Sequence, residues 1–265
     1  MKSELSYALV TGASGGIGKE FATRLAAEGW AIVLVGRNEA RLQAVKAGLA
    51  GRRAAESVVL PADLSQPGAA ERLHAACAGK GLVVDLLVNN AGSGLFGESL
   101  SLSAAGVEAM ISLNVSALTN LCALFGADMK ARGSGRILNV GSFAGLNATP
   151  YFASYAATKS YVFYYSLALR AELAGSGVVV TCLLPGYVRT DFDDNAGIAS
   201  DAYKKFSASN SMGASEVAAV GLAALWRRRA FAIAGARNRF AAFLFGLLPK
   251  TTPPAVMKLF LDSLV

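Results

Sequence analysis

Ser142, Tyr155 and Lys159 are the residues whose types and spacing suggest chemistry. Ser142 follows the apolar run Arg136–Val140, and Tyr155 and Lys159 stand at i and i+4 in a stretch with a helical pattern. Side chains so spaced share one helix face, so phenol and ammonium project to the same side. A nearby ammonium favours phenolate and would lower the tyrosine pKa from its ordinary value of about 10. Such a tyrosine can protonate a carbonyl oxygen or take a proton from an alcohol. Tyr-x-x-x-Lys also recurs by chance on ordinary helices, so the elements around it have to decide.

Those elements alternate. Apolar runs at Tyr7–Val10, Ala31–Val35, Val58–Leu60, Leu86–Val88, Ile137–Val140, Val178–Leu184 and Phe231–Ala234 are separated by helical patterns. Continuous apolar strands indicate a sheet covered on both faces. Strand–helix alternation with right-handed crossovers gives an α/β fold with a doubly wound parallel sheet, here a single domain. Ligands of such sheets bind at the carboxyl ends of the strands, where every motif in this chain falls. The helical stretches near Ala104–Ala131 and Ala153–Leu173 are apolar nearly all round. Burial on all sides is the usual consequence, which predicts a homo-oligomer, dimer or tetramer, meeting through these helices. Burial beneath the chain's own C-terminal segments is the alternative.

Composition narrows the classes. The chain has 265 residues, 54% apolar and 16% charged, with net charge +7. That suits one large globular domain with a sizeable core. No apolar run reads as long enough to cross a bilayer. Met1–Ser6 leads almost directly into a strand, so no secretory signal is expected and the expected location is cytoplasmic. Cys77, Cys122 and Cys182 are scattered, as free thiols would be. His74 is the one histidine, which speaks against histidine-built metal sites and triads. It reads as a solvated position on an amphipathic helix. No nucleic-acid partner is expected.

The first strand runs into Thr11-Gly-Ala-Ser-Gly-Gly-Ile-Gly18 and then a helix. Glycines let the backbone turn tightly and approach a pyrophosphate at a helix N-terminus. The same letters spell Gly-x-Ser-x-Gly around Ser14, a serine-hydrolase elbow that would need His74. The second strand ends Val35-Gly36-Arg37-Asn38 without an acid for a ribose hydroxyl. Arg37 could instead meet a 2′-phosphate, favouring NADP(H) over NAD(H). Asp63 and Leu64 follow the third strand, Asp63 facing an adenine or capping a helix. Asn89-Asn90-Ala91-Gly92 follows the fourth strand. Asn114 sits among apolar helix residues, where it must be hydrogen-bonded, either tying two elements together or holding a water in a proton relay.

Taken in order, Thr11-Gly-x-x-x-Gly-x-Gly18, Asn89–Gly92, Asn114, Ser142, Tyr155-x-x-x-Lys159 and Pro185-Gly186 resemble the single-domain form of the short-chain dehydrogenase/reductase family. The resemblance covers Ser6 to Thr190 and continues more weakly to Ala234. It implies an NAD(P)(H)-dependent oxidoreductase interconverting a carbonyl and an alcohol on a small-molecule substrate. By that resemblance Tyr155 is the acid/base, and Lys159 lowers its pKa and holds the nicotinamide ribose. Ser142 polarises the substrate oxygen and Asn114 anchors the relay water. Gly12, Ser14, Gly16, Ile17, Gly18, Arg37, Asp63, Leu64, Asn90, Ala91, Gly92, Tyr155 and Lys159 line the cofactor site, and Pro185, Gly186, Val188 and Thr190 contact the nicotinamide. Members preferring NADP often carry a basic residue in the glycine loop. Here that position is Gly15, leaving Arg37 to act alone. A non-catalytic nucleotide-binding or redox-sensing protein on the same fold is the competing class.

Residues 191–213 read as a substrate lid. Phe143, Phe152, Tyr187 and Phe192 hint at an apolar or bulky substrate. Residues 236–265 form an apolar, basic extension of two short helices. It is suited to a membrane interface, to covering the substrate site or to an oligomer contact.

Overall fold

The computed structural model describes residues 6–264, so the N-terminal reading of Met1–Leu5 and the end of the extension at Val265 lie outside it. In chain order the elements are β1 (Ser6–Thr11), α1 (Gly16–Ala27), β2 (Ala31–Gly36), α2 (Glu39–Ala47), β3 (Val58–Pro61), α3 (Ala69–Gly79) and β4 (Val83–Asn89). Next come α4 (Ala104–Ile111), a π-helical turn (Ser112–Ala117), α5 (Leu118–Ala131), β5 (Gly135–Val140), a 3₁₀ turn (Phe143–Leu146), α6 (Ala153–Glu172) and β6 (Val178–Leu184). The chain continues through β7 (Val188–Arg189), α7 (Phe192–Asn195), α8 (Asp201–Asn210), β8 (Met212–Gly213), α9 (Ala214–Trp226), β9 (Phe231–Ile233), α10 (Ala236–Gly246) and α11 (Thr252–Asp262).

The sheet has seven strands in the order β3-β2-β1-β4-β5-β6-β9, all paired in parallel. All seven strand runs expected from the sequence are present. Alternate residues of each strand feed two cores. Leu9, Val33, Leu87 and Ile137 point to the side covered by α3, α5 and α6. Val10, Leu34, Val88 and Leu138 point to the side covered by α1, α2 and α9. The chain winds outward from β1 to β3, then crosses to β4 and winds the other way. The resulting crevice opens between the carboxyl ends of β1 and β4.

Two readings of the sequence need correction. The stretch Ala104–Ala131 is long and apolar enough to cross a membrane by length and composition. In the fold its inner face, Leu118, Leu121, Cys122, Phe125 and Met129, packs on the sheet, so its oiliness belongs to a core helix. His74 is not simply solvated. Its ring sits edge-on to Phe125, and Nε2 lies 2.8 Å from Asp128 Oδ2, tying α3 to α5. The three cysteines are buried free thiols.

Candidate active site

The crevice is held together by one hydroxyl. Thr11 Oγ1, at the end of β1, accepts from the backbone N–H of Asn90 and of Ala91, each at 2.9 Å, and donates to Val88 O. Asn90 Nδ2 donates back to Thr11 O at 2.9 Å. The turn after β4 is thereby fastened to the glycine loop after β1. A Cβ on Gly12 would lie 2.8 Å from Asn90 Nδ2, and φ at Gly12 is +65°, so this position excludes side chains twice over. A Cβ on Gly18 would run into Gly12 O and stand 2.5 Å from Asn90 Nδ2. Gly15 precedes the first turn of α1 with no side-chain cap, no acid follows in that turn, and a Cβ there would meet open space. An uncapped, acid-free helix start beneath backbone this close suits a dinucleotide pyrophosphate.

The other cofactor candidates fall around this loop unevenly. Thr190 lies against Gly16, its Cγ2 3.0 Å from where a Cβ would be, so the segment after β6 touches the glycine loop. Ser14 faces the end of β2, its Oγ 3.6 Å from a Cβ placed on Gly36. Arg37 is exposed beyond β2, close enough to Asp63 to help lower its carboxyl pKa. The main cause of that lowering is Ser65, whose hydroxyl and N–H both donate to Asp63 Oδ1. Asp63 thus closes a local turn, while α3 starts later behind Gly68. Leu64 is buried in the α3–α5–α6 core, so its side chain acts in packing. Ile17 and Val188 pack on the opposite core. The hydrolase reading loses its partner, because no hydrogen bond joins Ser14 to His74 among the described residues and His74 is engaged with Asp128.

The catalytic candidates meet at the ends of β4 and β5. Asn114 is 1% exposed inside the π-helical turn. Its Nδ2 donates to Ser93 O (2.9 Å) and Thr158 Oγ1 (3.0 Å), and its Oδ1 accepts from Ser93 N (2.9 Å). It ties the loop after β4 to α6. The wide turn breaks the regular helix at the residue that needs side-chain reach, where such bulges commonly mark functional sites. Lys159 Nζ donates 3.0 Å to Val140 O, the last carbonyl of β5. A Cβ on Gly92 would lie 3.1 Å from Asn114 Oδ1 and 3.2 Å from Lys159 Nζ, so these three residues share one wall. Ser142 caps the 3₁₀ turn, its Oγ accepting from Ala144 N at 3.1 Å. Phe143 N donates to Pro185 O at 2.7 Å, drawing the Pro185–Gly186 turn to the same end of the sheet.

The electrostatics depart from the expectation. Burial pushes the Tyr155 phenol up to about 12, and only the hydrogen bond with Ser142 pulls the other way. Burial likewise pushes the Lys159 ammonium down to about 8. Lys159 Nζ stands 5.8 Å from the Tyr155 ring centroid. Burial, not the lysine, dominates the surroundings of the phenol, so its pKa is shifted upward rather than drawn down as the spacing suggested.

Around Tyr155 lies an aromatic shell. Phe152 and Phe192 stand 5.5 and 5.4 Å from its ring, and Phe96, Tyr203 and Tyr187 continue the cluster. Phe192 also fills the space above Gly94. The 191–213 region, as α7 and α8, therefore packs directly over the tyrosine. Phe143 does not join; it faces Phe245 of α10. Leu261 and Leu264 close the cluster from the C-terminal side, so one face of α11 covers this site. Phe96, Tyr151 and Leu261 were missed by sequence reasoning, since aromatics and leucines carry no spacing signal that assigns them to a distant cleft. Thr11 stood inside a recognised motif, and a hydroxyl at the end of a buried strand was the available clue to its bridging role.

The short chain dehydrogenase profile matches residues 6–200. The chain belongs to the short-chain dehydrogenase/reductase family. These oxidoreductases act on CH–OH groups with NAD(P). Over 188 residues it is 32% identical to the very-long-chain 3-oxoacyl-CoA reductase-B of Danio rerio, covering 69% of this chain and 60% of that protein. The chain thus spans about three-fifths of the length of the curated relatives it first matches. A short-chain dehydrogenase from Sphingobium yanoikuyae solved with NADPH is 31% identical with a TM-score of 0.78, covering 93% of this chain and 97% of that one. A 7beta-hydroxysteroid dehydrogenase is 26% identical with a TM-score of 0.85, covering 96% of each chain.

Replacing Gly18 with alanine tests the crevice. The new methyl must displace Gly12 or Asn90, which should cost about 1–3 kcal/mol of stability and weaken NADPH binding in a fluorescence titration. Unchanged melting and unchanged affinity would show that the loop is looser than this geometry.

Proposed function

We propose that this chain is an NADPH-dependent reductase of an apolar or bulky carbonyl compound, with Tyr155 as proton donor. The carrying observation is the buried phenol of Tyr155, held protonated beside Ser142 and facing an aromatic wall. A phenol that keeps its proton at neutral pH is set up to give it to a developing alkoxide.

The residues present fit a dinucleotide. Gly12, Gly16 and Gly18 with the start of α1 would hold the pyrophosphate. Arg37 would meet a 2′-phosphate, and Asn90, Ala91, Gly92 and Lys159 would line the ribose and nicotinamide end, with Pro185, Gly186, Val188 and Thr190 opposite. The bound cofactor supplies the hydride. The chain's own residues do the rest. Ser142 and Tyr155 direct two hydroxyls at the substrate oxygen. Tyr155 passes its proton to that oxygen. Lys159 stabilises the phenolate so formed, and Asn114, through Ser93 and Thr158, fixes the wall from which a relay reaches solvent. Phe152, Phe192, Tyr187 and Tyr203 exclude water and favour an apolar group beside the carbonyl.

A homo-oligomer through α6 accompanies this reading. Its outer face exposes Tyr161 and Tyr164, the surface expected of a helix meeting a symmetry mate.

Three measurements test the proposal. Tyr155→Phe should lower kcat for carbonyl reduction by about 10²–10⁴ while leaving NADPH affinity nearly unchanged; retained turnover would remove the mechanism. Arg37→Ala should weaken NADPH by about tenfold or more, the worth of a charge-assisted hydrogen bond, without affecting NADH. Equal loss for both cofactors would reduce Arg37 to a surface residue. The pH profile follows from the two shifts. Tyr155 stays protonated up to about 12, so it does not limit reduction. Lys159 loses its proton above about 8, so kcat/KM for reduction should be level below that pH and fall above it. In Lys159→Arg the descending limb should move upward, because guanidinium does not titrate there. A limb that stays in place would assign it to another group.

A further inference from the structure

Of the thirteen large apolar residues that stand exposed among the described residues, eight fall between Phe240 and Phe260. They are arranged in stripes. On α10, Phe240, Phe243 and Leu244 recur at helical spacing on the solvent side, and Leu247 continues the stripe just past its end. On α11 the chain shows two opposite stripes. Pro253, Met257, Leu261 and Leu264 are turned inward, the last two onto the Tyr155 cluster, whereas Val256 and Leu259 are turned out and Phe260, edge-on to Phe206, keeps an exposed side. Leu247 and Leu248, in the connection between the helices, are exposed as well. This face is continuous with the helix that roofs the site, and among the described residues it stays largely uncovered, Phe260 alone leaning edge-on against Phe206 at its margin.

Charge selects the occupant. Arg237, Arg239, Lys250 and Lys258 are exposed around the stripes. The one carboxylate of residues 236–264, Asp262, accepts from both Lys258 and Tyr151 and is neutralised in place. A second copy seated on this face would set like charge against like, which is disfavoured at an interface with no acids to answer it. A bilayer with anionic headgroups meets both halves of the pattern, taking the leucines and phenylalanines into its acyl boundary and pairing the cations with phosphate. We propose that α10 and α11 form a docking surface for an anionic membrane, with the inner stripe of α11 keeping the roof of the site at the lipid boundary.

The test is flotation of the full chain with phosphatidylcholine vesicles, with and without phosphatidylglycerol. The chain should float with the anionic vesicles, weakly or not at all with neutral ones, and should be released at about 1 M salt, where screening is complete within a few ångströms. Phe243→Asp combined with Leu247→Asp and Leu259→Asp should abolish flotation while leaving the melting temperature and oligomeric state unchanged. Should that variant melt early, the separate Arg237→Gln, Arg239→Gln, Lys250→Gln variant, which alters only exposed cations, should still lower vesicle partitioning by about tenfold or more. The proposal is overturned if the chain stays unbound with anionic vesicles, or if it floats undiminished in the charge variant. It is equally overturned if light scattering shows that the aspartate variant dissociates an oligomer, which would make this face a subunit contact. None of these readouts depends on turnover, so they stand apart from the reductase proposal.

Discussion

The ammonium of Lys159 is the point on which the site depends. It is 5% exposed, and its one hydrogen bond among the described residues runs to the last carbonyl of β5. That bond fixes α6 against the sheet end and, one helical turn earlier, places Tyr155 beside Ser142. Holding a cation there is unfavourable, and the drop of its pKa to about 8 corresponds to roughly 3 kcal/mol. An anionic phenolate or a ribose hydroxyl arriving next to it would recover that cost. In the proposed reaction the site would stabilise a charge that forms during turnover rather than one present beforehand, which is the condition for lowering a barrier.

The surrounding polar contacts serve the same end. Thr11 fastens the two halves of the sheet where the winding reverses, and Asn114 fastens the β4 loop to α6. Deeper in, Asn89 and Asn139 bond to each other and to Cys122 and Ser166, joining β4, β5, α5 and α6 behind the site. These buried amides hold the strand ends in one arrangement through their donors, although Asn89 Oδ1 itself finds no partner among the described residues. The aromatic shell then makes the tyrosine's surroundings dry. The same dryness keeps the phenol protonated in the cofactor-free chain.

Much of the fold was legible in the sequence because buried parallel strands are continuous apolar runs, and their order follows from alternation with helices. The glycine loop, Asn90, Asn114, Ser142, Tyr155 and Lys159 were legible as an ordered set with fixed spacing. What misled was environment. His74 looked solvated because its partner, Asp128, is distant in sequence. Leu64 adjoins Asp63 with its side chain in the core, so any contact with the proposed cofactor falls to its backbone, and burial of the side chain was not legible from its place in the motif. Ala104–Ala131 showed how composition alone leaves a core helix and a spanning helix alike.

The sequence by itself determined which elements form and which functional groups stand at the strand ends, because periodicity and local spacing are properties of the chain. It also determined that residues 236–265 are oily and basic. Only the tertiary structure decided that the phenol sits in a dry aromatic shell whose burial raises its pKa, since desolvation depends on everything packed around a group. It alone decided that α11 turns one apolar stripe onto the site and leaves the other outside. Both follow from contacts between residues far apart in the chain, such as Tyr151 with Asp262 and Tyr155 with Phe192, which no local pattern encodes.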